Sequence, residues 1–213
     1  MGSATRLAAS TLGVYAGLLS VEHGIFELLQ GKAVPNGAMI NAVGPPCEAA
    51  MVWHACLPAM TVIPSLRTTG VAAVVMGLVV AIWSAVFVQR YRGGLILMGL
   101  SLAMLPVGGG FVAPFTGLIA GAAGTRMGAP LDWGGTRLAS EAVRPLASLW
   151  PWPLVFLAAW FPGAWILGHL LPSMMLRLGL LSFLAFDLGL PLVIVVSAFA
   201  REAAQGEPAA SKG

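Results

Sequence analysis

Thr11-Leu12-Gly13-Val14-Tyr15-Ala16-Gly17-Leu18-Leu19-Ser20-Val21-Glu22-His23-Gly24-Ile25-Phe26-Glu27-Leu28-Leu29-Gln30 is an apolar run with three ionisable side chains in its second half. At about 1.5 Å of rise per residue, a helix of this length covers the roughly 30 Å hydrocarbon core of a bilayer. A charged side chain at the centre of such a helix costs at least about 2.5 kcal/mol. Glu22, His23 and Glu27 therefore need partners or water, and they mark a candidate functional site. His23 and Glu27 are i,i+4 neighbours, and Ser20 and Gln30 continue their stripe. Glu22 lies about 100° round the helix on a different face. One stripe can face a bundle interior, and Glu22 asks for a second contact.

The composition agrees with a membrane setting. Of 213 residues 58% are hydrophobic and 9% charged, and the mean hydropathy is +0.89, far from the roughly quarter-charged composition of soluble domains. Eleven basic and eight acidic residues give a net charge of +3. Most of the basic ones flank apolar runs, so they report orientation and make no nucleic-acid surface. No small-residue cleavage site follows the first run, which reads as a retained helix rather than a signal peptide. Arg6 stands where an N-myristoylation signal requires Ser or Thr.

Outward from the first run, residues 31–66 are broken by Pro35, Asn36, Asn41, Pro45, Pro46, Glu48, Pro58 and Pro64. This stretch reads as an extracytoplasmic cap with one short helix at 48–57. Thr69 to Gln89 is a second span, closed by Arg90-Tyr91-Arg92. Residues 93–125 are too long for one crossing. Pro106, Gly108-Gly109-Gly110 and Pro114 can reverse the chain there, giving a short hairpin of helices at 94–105 and 111–123, either crossing a thinned bilayer or re-entrant with its tip buried in protein. Gly117, Gly121 and Gly124 on the second of these helices, and Gly13 and Gly17 on the first span, offer small-residue packing faces.

Residues 127–150 form a polar cytoplasmic loop with an interfacial helix at 136–144, and Trp133, Trp150 and Trp152 suit the headgroup boundary. Residues 153–171, ending near His169, are a further span. After Pro172, residues 173–200 are the last, with Asp187 and Pro191 inside, and residues 201–213 form a flexible cytoplasmic tail.

The fold expected is all-α, one polytopic membrane domain over 1–213 with about six membrane segments. Two crossings by 93–125 put Arg6, Arg90, Arg92, Arg126, Arg137, Arg144, Arg201 and Lys212 on one side and Lys32, Arg67 and Arg177 on the other, 8 against 3. The excess of basic residues on the inner side then places both termini in the cytoplasm and the protein in the inner (cytoplasmic) membrane. Full crossing and re-entry give the same split, so the count fixes sides and not depth.

This topology gathers His23, His54 and His169 near the outer face and sets Asp187 nearer the midplane. Pro191 has no N–H, so the carbonyl of residue 187 loses its helical partner beside an acid. Transporters use such broken helices to bind ions near midplane. Glu22, His23, Glu27, His169 and Asp187 are thus the candidate substrate or proton site, expected to approach one another inside the bundle. His23, Glu27 and His169 could ligate a metal or haem, although the sequence requires no cofactor. The plainer alternative is a hydrogen-bonded polar cluster that fixes helix register. Cys47 and Cys56, both in the cap, can form a disulfide or stay buried thiols.

Three stretches resemble a group of uncharacterised bacterial multi-span membrane proteins with no assigned activity. They are His23-Gly24-Ile25-Phe26-Glu27-Leu28-Leu29-Gln30-Gly31, Pro58-Ala59-Met60-Thr61-Val62-Ile63-Pro64, and Phe87-Val88-Gln89-Arg90 through Gly93-Gly94 to Gly108-Gly109-Gly110-Phe111. The resemblance covers about the first 126 residues and implies a bacterial multi-span protein. It transfers no catalytic residue, and the two cysteines stand outside its pattern. Two function classes follow. The first is a non-enzymatic membrane protein, either a small permease acting as a homo-oligomer or a subunit of a membrane complex. The second is a membrane enzyme or redox protein using His23, Glu27 and His169.

Overall fold

The structure, a computed structural model, describes residues 3–42, 57–127 and 137–206. It is mostly helical. Helix α1 (Ser3–Leu29) is followed by strands β1 (Met39–Asn41) and β2 (Pro58–Met60), then α2 (Leu66–Val86), α3 (Gly93–Met104), α4 (Val112–Thr125), α5 (Arg137–Leu149) and α6 (Trp152–Leu170). The chain ends in two short helices, α7 (Pro172–Arg177) and α8 (Gly179–Ser182), a π-helical stretch Phe183–Gly189, and α9 (Leu190–Gly206). Four helical stretches are long and apolar enough to cross a membrane: Ala4–Leu29, Leu66–Val86, Trp152–Leu170 and Phe183–Gln205.

The tightest pairing is α1 against α2, and its cause is in the glycines. A Cβ on Gly24 would lie 2.6 Å from the Gly70 carbonyl oxygen, and one on Gly77 would lie 2.5 Å from that of Gly17. Gly70, Gly77 and Ser84 recur every seven residues on α2 and meet Gly24, Gly17 and Gly13 of α1 in antiparallel order. Without side chains between them the two backbones close into van der Waals contact, the form of attraction that a lipid solvent leaves available. Helices α3 and α4 close in the same way, Gly94 against Gly121 and Gly124, and Ser101 against Gly117.

Helix α1 begins well before residue 11, where the apolar run starts. Tertiary packing extends it: Ala4, Ala8 and Ala9 are buried in the same core as Ala198, and the Thr5 backbone N–H donates to Glu202 Oε1 at 2.7 Å. A carboxylate at the first turn satisfies a free N–H and suits the positive end of the helix dipole. The contact also places the start of α1 and the last turns of α9 at the same end of the protein. There the amphipathic α5 lies along α9 through Val143, Ala147 and Ala200.

The hairpin of α3 and α4 spans only about 18 to 21 Å per arm. Its tip is closed by the cap. Val62 N–H donates to the Pro106 carbonyl at 3.0 Å and Gly108 N–H to the Met60 carbonyl at 2.9 Å, beside a bridge between Thr61 and Val107. The backbone of the tip is thus paired within the protein.

The cap departs from the all-α expectation. β1 and β2 pair antiparallel, Met39 with Met60 and Asn41 with Pro58. Strands of three residues carry no readable alternation, and their partners are non-local, so the sequence pattern could not announce them. The cap helix at 48–57, the Cys47 and Cys56 pair and His54 lie outside the described residues, apart from Leu57. So do residues 207–213 of the expected tail, while residues 201–206 belong to α9. The last span also departs from expectation. It does not run as one regular helix from residue 173, because a turn at Leu178 separates α7 from α8, and the helix changes from α to π at Phe183, where the membrane-length stretch begins.

Candidate functional site

Helix α6 is held away from α1 by large side chains where α2 is drawn in by small ones. Tyr15 and Phe161 meet edge to face at 5.7 Å between centroids, and Phe26 stacks on Trp165 at 5.8 Å. Aromatic spacers of this size leave room between the helices, and the room is a cavity of about 560 Å³. Tyr15, Leu19, Glu22 and His23 of α1 form one wall, and Trp160, Phe161, Ala164 and Trp165 of α6 another. Phe111 and Val112 at the start of α4, Leu57 and Pro58 of the cap, and Met175, Ser182, Phe183 and Asp187 of the broken last segment complete it.

The second contact that Glu22 asked for is here. Its face of α1 turns to α6, where Trp165 hydrogen-bonds its side chain. Asp187 reaches the same cavity from the π-helical stretch. Within that stretch Leu190 N–H bonds the Ala185 carbonyl, five residues back, and Pro191 follows with no N–H to give. A π turn rotates the following side chains out of α-helical register, and such turns recur at functional sites. The proline that frees a carbonyl and the acid that lines the cavity therefore occupy one local distortion of the backbone.

The other polar face of α1 turns to the hairpin tip. Each glycine of the 108–110 run covers one member of the stripe: Gly108 lies over the Glu27 carboxylate, Gly109 beside the Ser20 hydroxyl and Gly110 over the His23 ring. Gly108 and Gly110 have φ of +89° and +75°, a conformation that glycine adopts without steric cost. Ser20 Oγ donates to the Ala73 carbonyl at 3.0 Å. Glu27 is fully buried at 0% exposure, and neither of its carboxyl oxygens has a hydrogen-bond partner. His23 is 9% exposed; its Nδ1 is likewise unpartnered, and the residue also borders the cavity.

Of the five residues singled out from the sequence, Glu22, His23 and Asp187 share the cavity, and Glu27 sits behind the glycine turn. His169 is exposed near the end of α6 and is not among the cavity residues. The ligand set His23, Glu27 and His169 is therefore not assembled, and among the described residues no group of three or more His, Cys, Asp or Glu side chains is placed to hold a metal. The aromatic lining was not anticipated. Trp160 and Trp165 lie within a span rather than at its ends, and a polar-tipped indole inside a span is the signal that could have pointed to a buried acid. No family model, curated protein or solved structure matches the chain, so the resemblance of the three stretches lends no fold and no activity.

Proposed function

We propose that the protein is a small permease-like membrane protein whose substrate site is the cavity between α1, α6 and the π-helical stretch. In this reading α1, α2, α6 and the segment from Phe183 cross the membrane, and α3 and α4 add a pair of shorter embedded helices. That makes a bundle of six membrane segments with both termini on the cytoplasmic side of a bacterial inner membrane. The observation that carries the reading is the convergence of Glu22 and Asp187, from two separate helices, on one apolar cavity at a π-helical stretch. Acids inside a membrane domain are costly and mark substrate or ion pathways. A π turn within a helix recurs at functional sites. So few spans suggest that the working unit is a homo-oligomer or part of a membrane complex.

The test needs no known substrate. In a chain with Cys47 and Cys56 replaced by serine, Ser182→Cys places one thiol on the cavity wall. A membrane-impermeant thiol reagent is then applied to right-side-out and to inside-out vesicles. A permease opens its site to each side in turn, so modification is expected in both orientations. Modification from one side only would overturn the permease reading.

A further inference from the structure

We infer that the cavity binds a lipophilic organic cation. The inference rests on the proposed substrate site and names the class of molecule it takes. Two carboxyl groups, Glu22 and Asp187, enter the cavity, and its described lining contains no lysine or arginine. An anion would meet two acids with no counter-charge in a setting of low dielectric, and a neutral guest would bring no positive charge to either acid. A cation satisfies them.

The remainder of the lining says what kind of cation. Tyr15, Phe111, Trp160, Phe161, Trp165 and Phe183 are all aromatic. Rings present negative faces to a positive charge, and together with apolar walls they recognise quaternary and other poorly hydrated cations. A small inorganic ion would instead need several oxygen ligands at short range, whereas this cavity of about 560 Å³ falls within the roughly 300–1,000 Å³ usual for organic ligands. The rings are braced from behind. Phe26 stacks on Trp165 and Phe186 lies 4.0 Å from Trp160, so the box is formed before a guest arrives. The Trp165 indole, hydrogen-bonded to Glu22, ties one acid to the aromatic wall.

The test uses two ions of the same shape and opposite charge. The purified full-length protein in a non-ionic detergent is titrated with tetraphenylphosphonium and, separately, with tetraphenylborate, following quenching of tryptophan fluorescence and checking by equilibrium dialysis. Saturable binding of the phosphonium and none of the borate is expected. Glu22→Gln and Asp187→Asn should each weaken phosphonium binding about tenfold or more, the scale of one lost charge contact. Equal binding of the two ions, binding of neither, or unchanged affinity in both variants would overturn the inference. If either variant fails to fold, the comparison of the two ions on the unaltered protein decides alone. The readouts also separate this inference from the permease reading. Charge-selective binding with one-sided thiol access would leave a cation site without transport, and two-sided access without charge selectivity would leave a permease for another substrate.

Discussion

Gly108 closes over the carboxyl group of Glu27: a Cβ built on it would fall 2.5 Å from both carboxyl oxygens. Two separate demands meet at this residue, since its φ of +89° also disfavours any L side chain, by roughly 1–2 kcal/mol. Gly108→Ala should therefore lower the melting temperature in detergent by several degrees. Gly99, exposed on α3 with nothing within 4 Å of a Cβ, supplies the control. Gly99→Ala should leave the melting temperature unchanged or raise it, because alanine is the better helix former by about 1 kcal/mol. Equal behaviour of the two variants would mean that the turn does not press on Glu27.

The α1 and α2 seam gives a second prediction. At Gly24 and Gly70 an added Cβ would lie 2.6 and 2.5 Å from the opposite glycine's carbonyl oxygen. Backbone cannot swing away as a side-chain tip can, so the helices must separate. Gly24→Ala and Gly70→Ala are each expected to lower the melting temperature by more than Gly163→Ala, whose Cβ would meet nothing within 4 Å. Each loss should exceed what one methyl group usually costs, because separating the pair loosens the whole seam.

These two regions also show what the sequence could and could not disclose. Gly13 and Gly17 pointed to a close helix partner from their spacing alone, and the partner is α2. The 108–110 run signalled a reversal of the chain because proline and glycine act locally. What covers the reversal did not show in the sequence, since the strand at Pro58–Met60 finds its partners far away in the chain. The acids of α1 were legible as two faces from helical geometry. Which neighbour each face meets was not, because helix packing depends on side chains brought together from α6 and the hairpin. His169 illustrates the limit: the sequence put it near the outer face with His23, yet it is exposed near the end of α6 and is not among the cavity residues.

Topology is open to a direct check. The bond from Thr5 N–H to Glu202 puts the two ends of the described chain together, so a fusion at either end should report the same side. Alkaline phosphatase fused after Gly206 is expected to be inactive and a cytoplasmic reporter there active, while alkaline phosphatase joined in the cap after Ala42 should be active. Both signs follow from the excess of basic residues, 8 against 3, on the side that carries the termini. Activity of the phosphatase at Gly206 would reverse the orientation, and opposite sides for the two ends would break the pairing of α1 with α9.

Glu27 yields the last prediction, because its burial has a cost that the fold does not recover. The side chain is at 0% exposure and both oxygens lack partners, an arrangement that carries a desolvation penalty of about 1–3 kcal/mol or more. A neutral amide of the same shape costs less to bury than an ionised carboxylate. Glu27→Gln should therefore raise the melting temperature by a few degrees while leaving the helical content, read by circular dichroism, unchanged. A carboxyl kept at the expense of stability is the mark of a group retained for function. In the thiol-access assay the same variant should consequently lose modification of the Ser182→Cys chain from one of the two sides. A lower melting temperature would instead show that Glu27 holds a stabilising partner. Full two-sided access in Glu27→Gln would confine the working residues to Glu22, His23 and Asp187.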